Sequence, residues 1–287
     1  MPGHGLTSRM AQDSLDSLPS LAAVIREFDL RADKSLGQHF LLDAGLLGRI
    51  AAAAGDLEGV NVIEIGPGPG GLTRALLARG ARHVTAIEFD PRAVAAVQAL
   101  AAATDRLTVI EADALRADLP ALVPGPRAIV ANLPYNIGTS LLVNWLHQAG
   151  EYQAMTLMFQ WEVAARICAR PGTGAYGRVS VLAQWLCEVT MLMRIPAGAF
   201  APPPKVDSGL IRLTPRPAQP PAVEIKAMER LTAAAFGQRR KMLRGALKPL
   251  GGAALCEAAG LDPSRRAETL EVEEFLALLR ALRGQGG

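Results

Sequence analysis

One junction constrains this chain more than any other. Val60–Ile65 is a short apolar run that reads as a strand, and Gly71–Arg79 reads as a helix. Between them lies Glu64-Ile65-Gly66-Pro67-Gly68-Pro69-Gly70-Gly71-Leu72-Thr73. Glycines at a strand-to-helix turn let the backbone approach a ligand closely. A dinucleotide fingerprint would read GxGxxG, with pyrophosphate on the helix N-terminus. Here the spacing is GxGxG with prolines between the glycines, which removes N–H donors a phosphate needs. An acid at the strand tip suits a cationic ligand, so on the motif alone a methyl-donor site is preferred to a nicotinamide site.

The pattern around the junction repeats. Val84–Phe89, Leu107–Glu111, Ala128–Ala131 and Ala154–Gln160 read as further strands. Pro91–Ala103, Thr139–Ala149 and Trp161–Ala169 read as helices. Strands alternating with helices predict an α/β fold, a Rossmann-like parallel sheet covered on both faces. Val189–Ile195 and Leu210–Leu213 read as a late strand pair, antiparallel because Pro196–Pro204 is too short for a helical crossover. Pro215, Pro217, Pro220 and Pro221 then form a stiff break. Ile225–Phe236, Arg239–Leu250, Ala253–Ala259 and Val272–Arg283 follow as helical patterns. The expected organisation is a leader with a short helix over 1–30, a methyltransferase domain over 31–215 and a small all-helical C-terminal domain over 216–287.

Composition narrows the setting. At 50% apolar and 20% charged residues the chain is globular rather than disordered. No run of about 18 apolar residues is present, so no membrane span is expected. Cys168, Cys187 and Cys256 lie far apart and form no CxxC, which argues against a structural metal or a disulfide framework. The first thirty residues lack signal- and transit-peptide character, so a cytoplasmic protein is expected. The net charge of +3 hides an asymmetry, with a balance of +5 from Lys205 onward and −2 before it. A mildly basic tail permits a polyanion partner without demanding one.

Further acids stand where strands end. Glu88 closes the second strand, where a carboxylate can accept both ribose hydroxyls, and Asp113 follows the third, where it can accept from an adenine amine. Acids also cap the helices that follow strands. Capping is the preferred reading for Asp90, just before Pro91, whereas the repeated placement favours ligand contact for Glu64, Glu88 and Asp113. The fourth strand ends in Asn132-Leu133-Pro134-Tyr135. Pro134 biases Leu133 toward an extended conformation, so that the Asn132 side chain and Leu133 carbonyl can share a direction. Two such acceptors can hold an exocyclic amine, pyramidalise its nitrogen and aim the lone pair at a methyl group, while Tyr135 stacks on the base. Phe200-Ala201-Pro202-Pro203-Pro204-Lys205-Val206-Asp207-Ser208 is a rigid loop. Phe200 as the opposite wall of the base and Phe200 as packing in a strand connection stand equal on the residues alone. In the tail, Arg239, Arg240, Lys241, Arg244 and Lys248 form a cluster without an acid, and on a helix Arg240 and Arg244 share one face. Such a cluster is either a solvated helix face or a phosphate contact. Arg166, Arg170 and Arg178 flank the Gly-rich Pro171–Gly177 turn and are weaker candidates for phosphate contact.

With Lys34-Ser35-Leu36-Gly37-Gln38-His39-Phe40-Leu41, the Gly loop, Glu88, Asp113, Asn132–Tyr135, Phe200–Ser208 and Phe236–Leu247 taken together, the chain resembles the ribosomal RNA small-subunit adenine dimethyltransferase family of KsgA type. The match runs from about Lys34 to Leu282. The resemblance implies that Gln38, His39, Leu41, Glu64, Gly66, Gly68, Glu88, Asp113 and Asn132 hold S-adenosylmethionine. It implies that Asn132 and the Leu133 carbonyl bind the target N6, with Tyr135 and Phe200 holding the base. It raises the phosphate reading of the basic cluster. His39 departs from the family, where Asn is common, which puts its side-chain role in doubt. The implied reaction is N6,N6-dimethylation of two adjacent adenosines near the 3′ end of small-subunit (16S) rRNA within an immature 30S particle, by a monomer without a metal. The rivals are an adenine methyltransferase acting on large-subunit (23S) rRNA, a DNA adenine methyltransferase, and a protein that acts mainly as a small-subunit assembly factor.

Overall fold

The computed structural model describes residues 18–31, 38–238 and 240–284. Lys34–Gly37 and Arg239, both invoked above, lie outside the described residues. The described part opens on helix α1 (Leu21–Glu27), whose N-cap Ser20 accepts from the Ala23 amide. Strand β1 (Phe40–Leu41) and helix α2 (Ala44–Ala53) follow. Asp43 caps α2 by accepting from Leu46 N at 2.6 Å.

The parallel sheet then builds as expected. Its parts are β2 (Asn61–Ile65), α3 (Gly71–Ala78), β3 (His83–Glu88), α4 (Pro91–Ala101), β4 (Leu107–Glu111), α5 (Leu119–Leu122), β5 (Arg127–Asn132), α6 (Gly138–Leu146), β6 (Met155–Gln160) and α7 (Trp161–Ile167). Helix α8 (Arg178–Leu186) and strands β7 (Cys187–Ile195), β8 (Phe200–Ala201) and β9 (Ser208–Pro215) come next. The seven-stranded order is β4-β3-β2-β5-β6-β9-β7. β2 pairs in parallel with both β3 and β5, and β6 pairs antiparallel with β9. The chain runs β2 to β3 to β4 in one direction and then returns to β5 on the other side of β2. That reversal makes the C-terminal end of β2 a switch point, where open α/β sheets bind ligands. All five β2 residues are buried, so the strand that carries the Gly loop has little freedom to move.

The late strands β7 and β9 are neighbours in the sheet, with β9 joining the parallel part. The first fifteen residues after Gln38 and the stretch after Gly177 hold two helices, α2 and α8, to which no element was assigned from sequence. β1 and β8 form a separate two-stranded antiparallel pair, with Phe40 opposite Ala201 and Leu41 opposite Phe200.

The chain divides into two compact units. The first comprises the described residues of Met1–Asn144 with Glu151–Ala164 and Met191–Thr214. The second comprises Trp145–Gly150, Ala165–Thr190 and the described residues of Pro215–Gly287. The linear division near 215 therefore leaves out α8, which belongs with the helices α9 (Ala222–Phe236), α10 (Leu243–Ala246), α11 (Gly252–Ala258) and α12 (Val272–Gly284). The second unit has its own core, in which Tyr176, Val181, Met228, Leu231, Leu255 and Phe275 are buried together. Phe236 stacks on Phe275 at 5.7 Å and meets Tyr176 edge-on at 6.0 Å.

One expected helix is corrected. Arg239–Leu250 is not continuous: α10 spans four residues, followed by a 3-10 turn at Lys248–Leu250. Met242 is extended, at φ −65° and ψ 158°. The Leu243 and Arg244 amides donate to Arg265 and Pro263 carbonyls instead of to a preceding helical turn. Pro249 then brings no amide to the next turn. Arg240 is thus in a turn, and it does not share a helix face with Arg244.

Candidate active site

An open cleft of about 810 Å³, solvent at its mouth included, lies at the C-terminal end of β2. Of the residues singled out from sequence, Gln38, His39, Leu41, Glu64, Gly66, Gly68, Glu88, Asn132, Leu133 and Tyr135 line it. They come from β1 and the two residues before it, and from β2, β3 and β5 and the turns after these, parts far apart in the chain.

The floor is the Gly loop. Gly66 has φ 66° and Gly68 φ 54°, the left-handed region that a side chain disfavours. A Cβ on Gly68 would also meet the Phe40 ring at 3.0 Å. Glu64 is 1% exposed, and its carboxylate accepts from the Thr73 hydroxyl at 2.6 Å. Burial raises its pKa from 4.5 to about 8, the Thr73 hydrogen bond opposing and the nearby Glu88 charge adding to the rise. Glu88 accepts from the Phe89 and Asp90 amides at 2.8 and 2.9 Å, and from Gly68. Burial still pushes its pKa up, against those three backbone bonds. No ion pair joins either acid to a described Lys, Arg or His. Two buried acids without a cation, beside prolines that lack N–H groups, fit a cationic ligand and do not fit a pyrophosphate.

Asp90 caps α4, accepting from Arg92 N at 2.9 Å, as expected. Asp113 accepts from Leu115 N at 2.9 Å and stands at the end of β4, outside the lining of the cleft. The side chain of Phe89, next to Glu88, is 73% exposed, an unusual position for a phenyl ring.

The other wall is the Asn132–Tyr135 turn. Asn132 Nδ2 donates to the His39 carbonyl at 3.0 Å. A carbonyl only accepts, so this contact settles which end of the amide is which and leaves Oδ1 as an acceptor. Leu133 is 2% exposed and lines the cleft beside Asn132. The Tyr135 hydroxyl and Ser208 Oγ are 2.5 Å apart, and Ser208 is fully buried. The Phe200 loop is tied down at its end as well. Asp207 accepts from Ala197 N and from Arg194, whose guanidinium lies 4.6 Å over the Trp161 ring. Phe200 itself is 4% exposed within the core of this unit. The His39 ring lies 5.2 Å from that of Tyr135 and 6.3 Å from that of Phe200.

Thr73, Phe89 and Ser208 were not found from sequence. Thr73 has a local signal, since a hydroxyl on the first turn of α3 faces back toward the strand tip. Ser208 has none, because its partner is 73 residues away.

The chain is similar to known proteins over most of its length. The model of the family described as Ribosomal RNA adenine dimethylase matches residues 30–283. The chain belongs to that family. It is an S-adenosylmethionine-dependent rRNA adenine dimethyltransferase. Ribosomal RNA small subunit methyltransferase A of Gluconobacter oxydans is 56% identical over 263 residues, 91% of this chain and 87% of the relative. A dimethyladenosine transferase from Plasmodium falciparum has a similar structure, with a TM-score of 0.74 and 26% identity over 86% of this chain and 98% of its own. The 23S rRNA methyltransferase ErmE has a TM-score of 0.64 and 30% identity, over 85% of this chain and 99% of its own. An enzyme named for the other subunit has a similar fold, so the fold does not choose the substrate.

Arg240, Lys241, Arg244 and Lys248 are exposed and make no ion pair with a described residue. No helix among the described residues is long and apolar enough to cross a membrane. No group of three or more His, Cys, Asp or Glu among them could hold a metal ion.

Proposed function

We propose that this enzyme dimethylates N6 of two adjacent adenosines near the 3′ end of small-subunit rRNA, acting as a cytoplasmic monomer on an immature 30S particle. The 56% identity to a protein named for the small subunit, against 30% to the 23S enzyme, supports this choice of RNA. S-adenosylmethionine supplies an electrophilic methyl group on a sulfonium. Glu64 and the Gly66–Gly68 backbone would hold its cationic amino-acid part, Glu88 its ribose, and Phe89 and Asp113 its adenine side.

The observation that carries the acceptor role is the orientation of Asn132. With Nδ2 spent on His39, Oδ1 is the amide atom left to accept from a target N6–H. The Leu133 carbonyl accepts from the second N6–H. Two acceptors on the amine protons draw nitrogen toward a pyramidal geometry and free its lone pair from the ring. The attacking nitrogen becomes cationic as its bond to the methyl carbon forms, the methyl–sulfur bond would break with its electron pair left on sulfur as the thioether S-adenosylhomocysteine, and the nitrogen then gives up a proton to water, so no strong base is needed before transfer. Tyr135, its ring fixed through Ser208, stacks on the flipped base. Arg240, Lys241, Arg244 and Lys248, with Arg239, contact RNA phosphates.

Asn132→Ala tests the acceptor role. Particle binding and cofactor affinity should stay close to wild type while methyl transfer falls at least a hundredfold, in line with loss of a positioned acceptor. Transfer at the wild-type rate would remove Asn132 from the chemistry.

A further inference from the structure

His39 touches both sides of the acceptor site at once. Its carbonyl accepts from Asn132 Nδ2 at 3.0 Å. Its Nδ1 lies 2.8 Å from the Pro202 carbonyl. That carbonyl can only accept, so Nδ1 carries the proton and donates. The imidazole ring neighbours both Tyr135, at 5.2 Å, and Phe200, at 6.3 Å. Backbone pairing of this segment with the Phe200 loop covers only two residues on each side, Phe40–Ala201 and Leu41–Phe200. The His39–Pro202 bond adds one further rung to that short ladder, made by a side chain. None of these contacts points the imidazole at Glu64 or Glu88.

We propose that the His39 side chain is a positioning residue of the methyl-acceptor site, latching the Phe200 loop to the Asn132 turn, and is not a ligand of the cofactor. The proposal deepens the reading of Asn132 as the acceptor of N6–H and rests on it. Its consequence is a division of labour within one residue. The backbone orients the Asn132 amide, which any residue at this position does. The side chain holds Pro202, which only a donor at the Nδ1 position does. Loss of that donor leaves the loop tied to β1 by two residues and frees it to shift against Tyr135, so the base is held less closely.

Three substitutions in the full chain separate donor from ring. His39→Asn places Nδ2 close to the position of imidazole Nδ1 and keeps a donor to Pro202. His39→Gln reaches instead to the Nε2 position. His39→Phe keeps a ring beside Tyr135 and Phe200 but has no donor. Steady-state kinetics on small-subunit particles and calorimetric titration with S-adenosylhomocysteine are the readouts, with Asn132→Ala run beside them. The expected result is a fall of about tenfold in kcat for His39→Phe and His39→Gln, the size of one lost hydrogen bond. His39→Asn recovers most of that loss, and S-adenosylhomocysteine affinity stays within about twofold in all three. Wild-type kcat in both His39→Phe and His39→Gln, failure of His39→Asn to recover, or a loss confined to S-adenosylhomocysteine affinity would each overturn the latch. If His39→Phe does not fold, His39→Gln against His39→Asn makes the same comparison. Full transfer by Asn132→Ala would instead overturn the acceptor reading beneath it.

Discussion

Glu64→Gln should remove a pH dependence that the wild-type protein carries in its folding stability. Glu64 is wholly buried, and its pKa in the fold is about 8 against 4.5 for the free side chain. The folded state therefore holds the proton over a range where the unfolded chain has lost it. A group raised in this way contributes stability in full below about pH 4.5 and loses it as pH climbs to about 8. Each pH unit within that window costs about 1.4 kcal/mol. Between about pH 5 and pH 7.5 the wild type should thus lose about 3 kcal/mol relative to Glu64→Gln. Glutamine is nearly isosteric, and its carbonyl oxygen can still accept from the Thr73 hydroxyl, so the comparison isolates the proton. Urea unfolding monitored by circular dichroism at several pH values measures both proteins, and the difference between them cancels the titrations not coupled to Glu64. A difference that grows with pH toward a more stable Glu64→Gln is the expected result. Two parallel profiles would mean that the Glu64 carboxyl is not held neutral by burial.

The same carboxyl should respond to the cofactor. S-adenosylmethionine binding near pH 7 should release up to about one proton, read from calorimetric heats in buffers of different ionisation enthalpy, and Glu64→Gln should abolish the release. Ser208→Ala strands the Tyr135 hydroxyl and should lower kcat by about tenfold with cofactor affinity unchanged, so a normal kcat would deny Ser208 a positioning role. Phe89→Ala should raise the KM for S-adenosylmethionine several-fold without affecting particle binding, whereas equal KM values would leave the exposed ring without a part in the site. Arg244→Ala should weaken particle binding and reduce the slope of log affinity against log salt by about one, and an unchanged slope would mean that this side chain meets no phosphate.

The catalytic half of the fold was legible because local signals and tertiary demands agree there. β2, β3, β4 and β5 are short apolar runs closed by acids or Asn, and the glycines mark the turn that needs a positive φ. Asp90 before Pro91 was legible as a cap for the same reason. The missed helices lack such punctuation. α2 contains Gly45 and Gly48, which weaken a helical pattern, and α8 runs directly into β7 without a breaker between Leu186 and Cys187. The expected helix from Arg239 to Leu250 failed because its first amides find carbonyls at Arg265 and Pro263, a long-range competition that a local pattern does not contain. Within the site, residues at strand tips were found and their partners were not. Thr73 under Glu64, Ser208 under Tyr135 and Pro202 under His39 join segments whose proximity only the folded chain creates. The burial of Phe200 beside His39 likewise favours packing for a ring whose sequence context left two readings equal.

The central claim concerns which nitrogen receives the methyl groups. Small-subunit particles from cells lacking this enzyme, incubated with the protein and labelled S-adenosylmethionine, should yield label as N6,N6-dimethyladenosine on digestion to nucleosides. Mapping should place it at two adjacent adenosines near the 3′ end of the small-subunit RNA, and Asn132→Ala should leave those positions unlabelled. Small-subunit particles left unlabelled, or label in a nucleoside other than N6-methylated adenosine, would contradict the account.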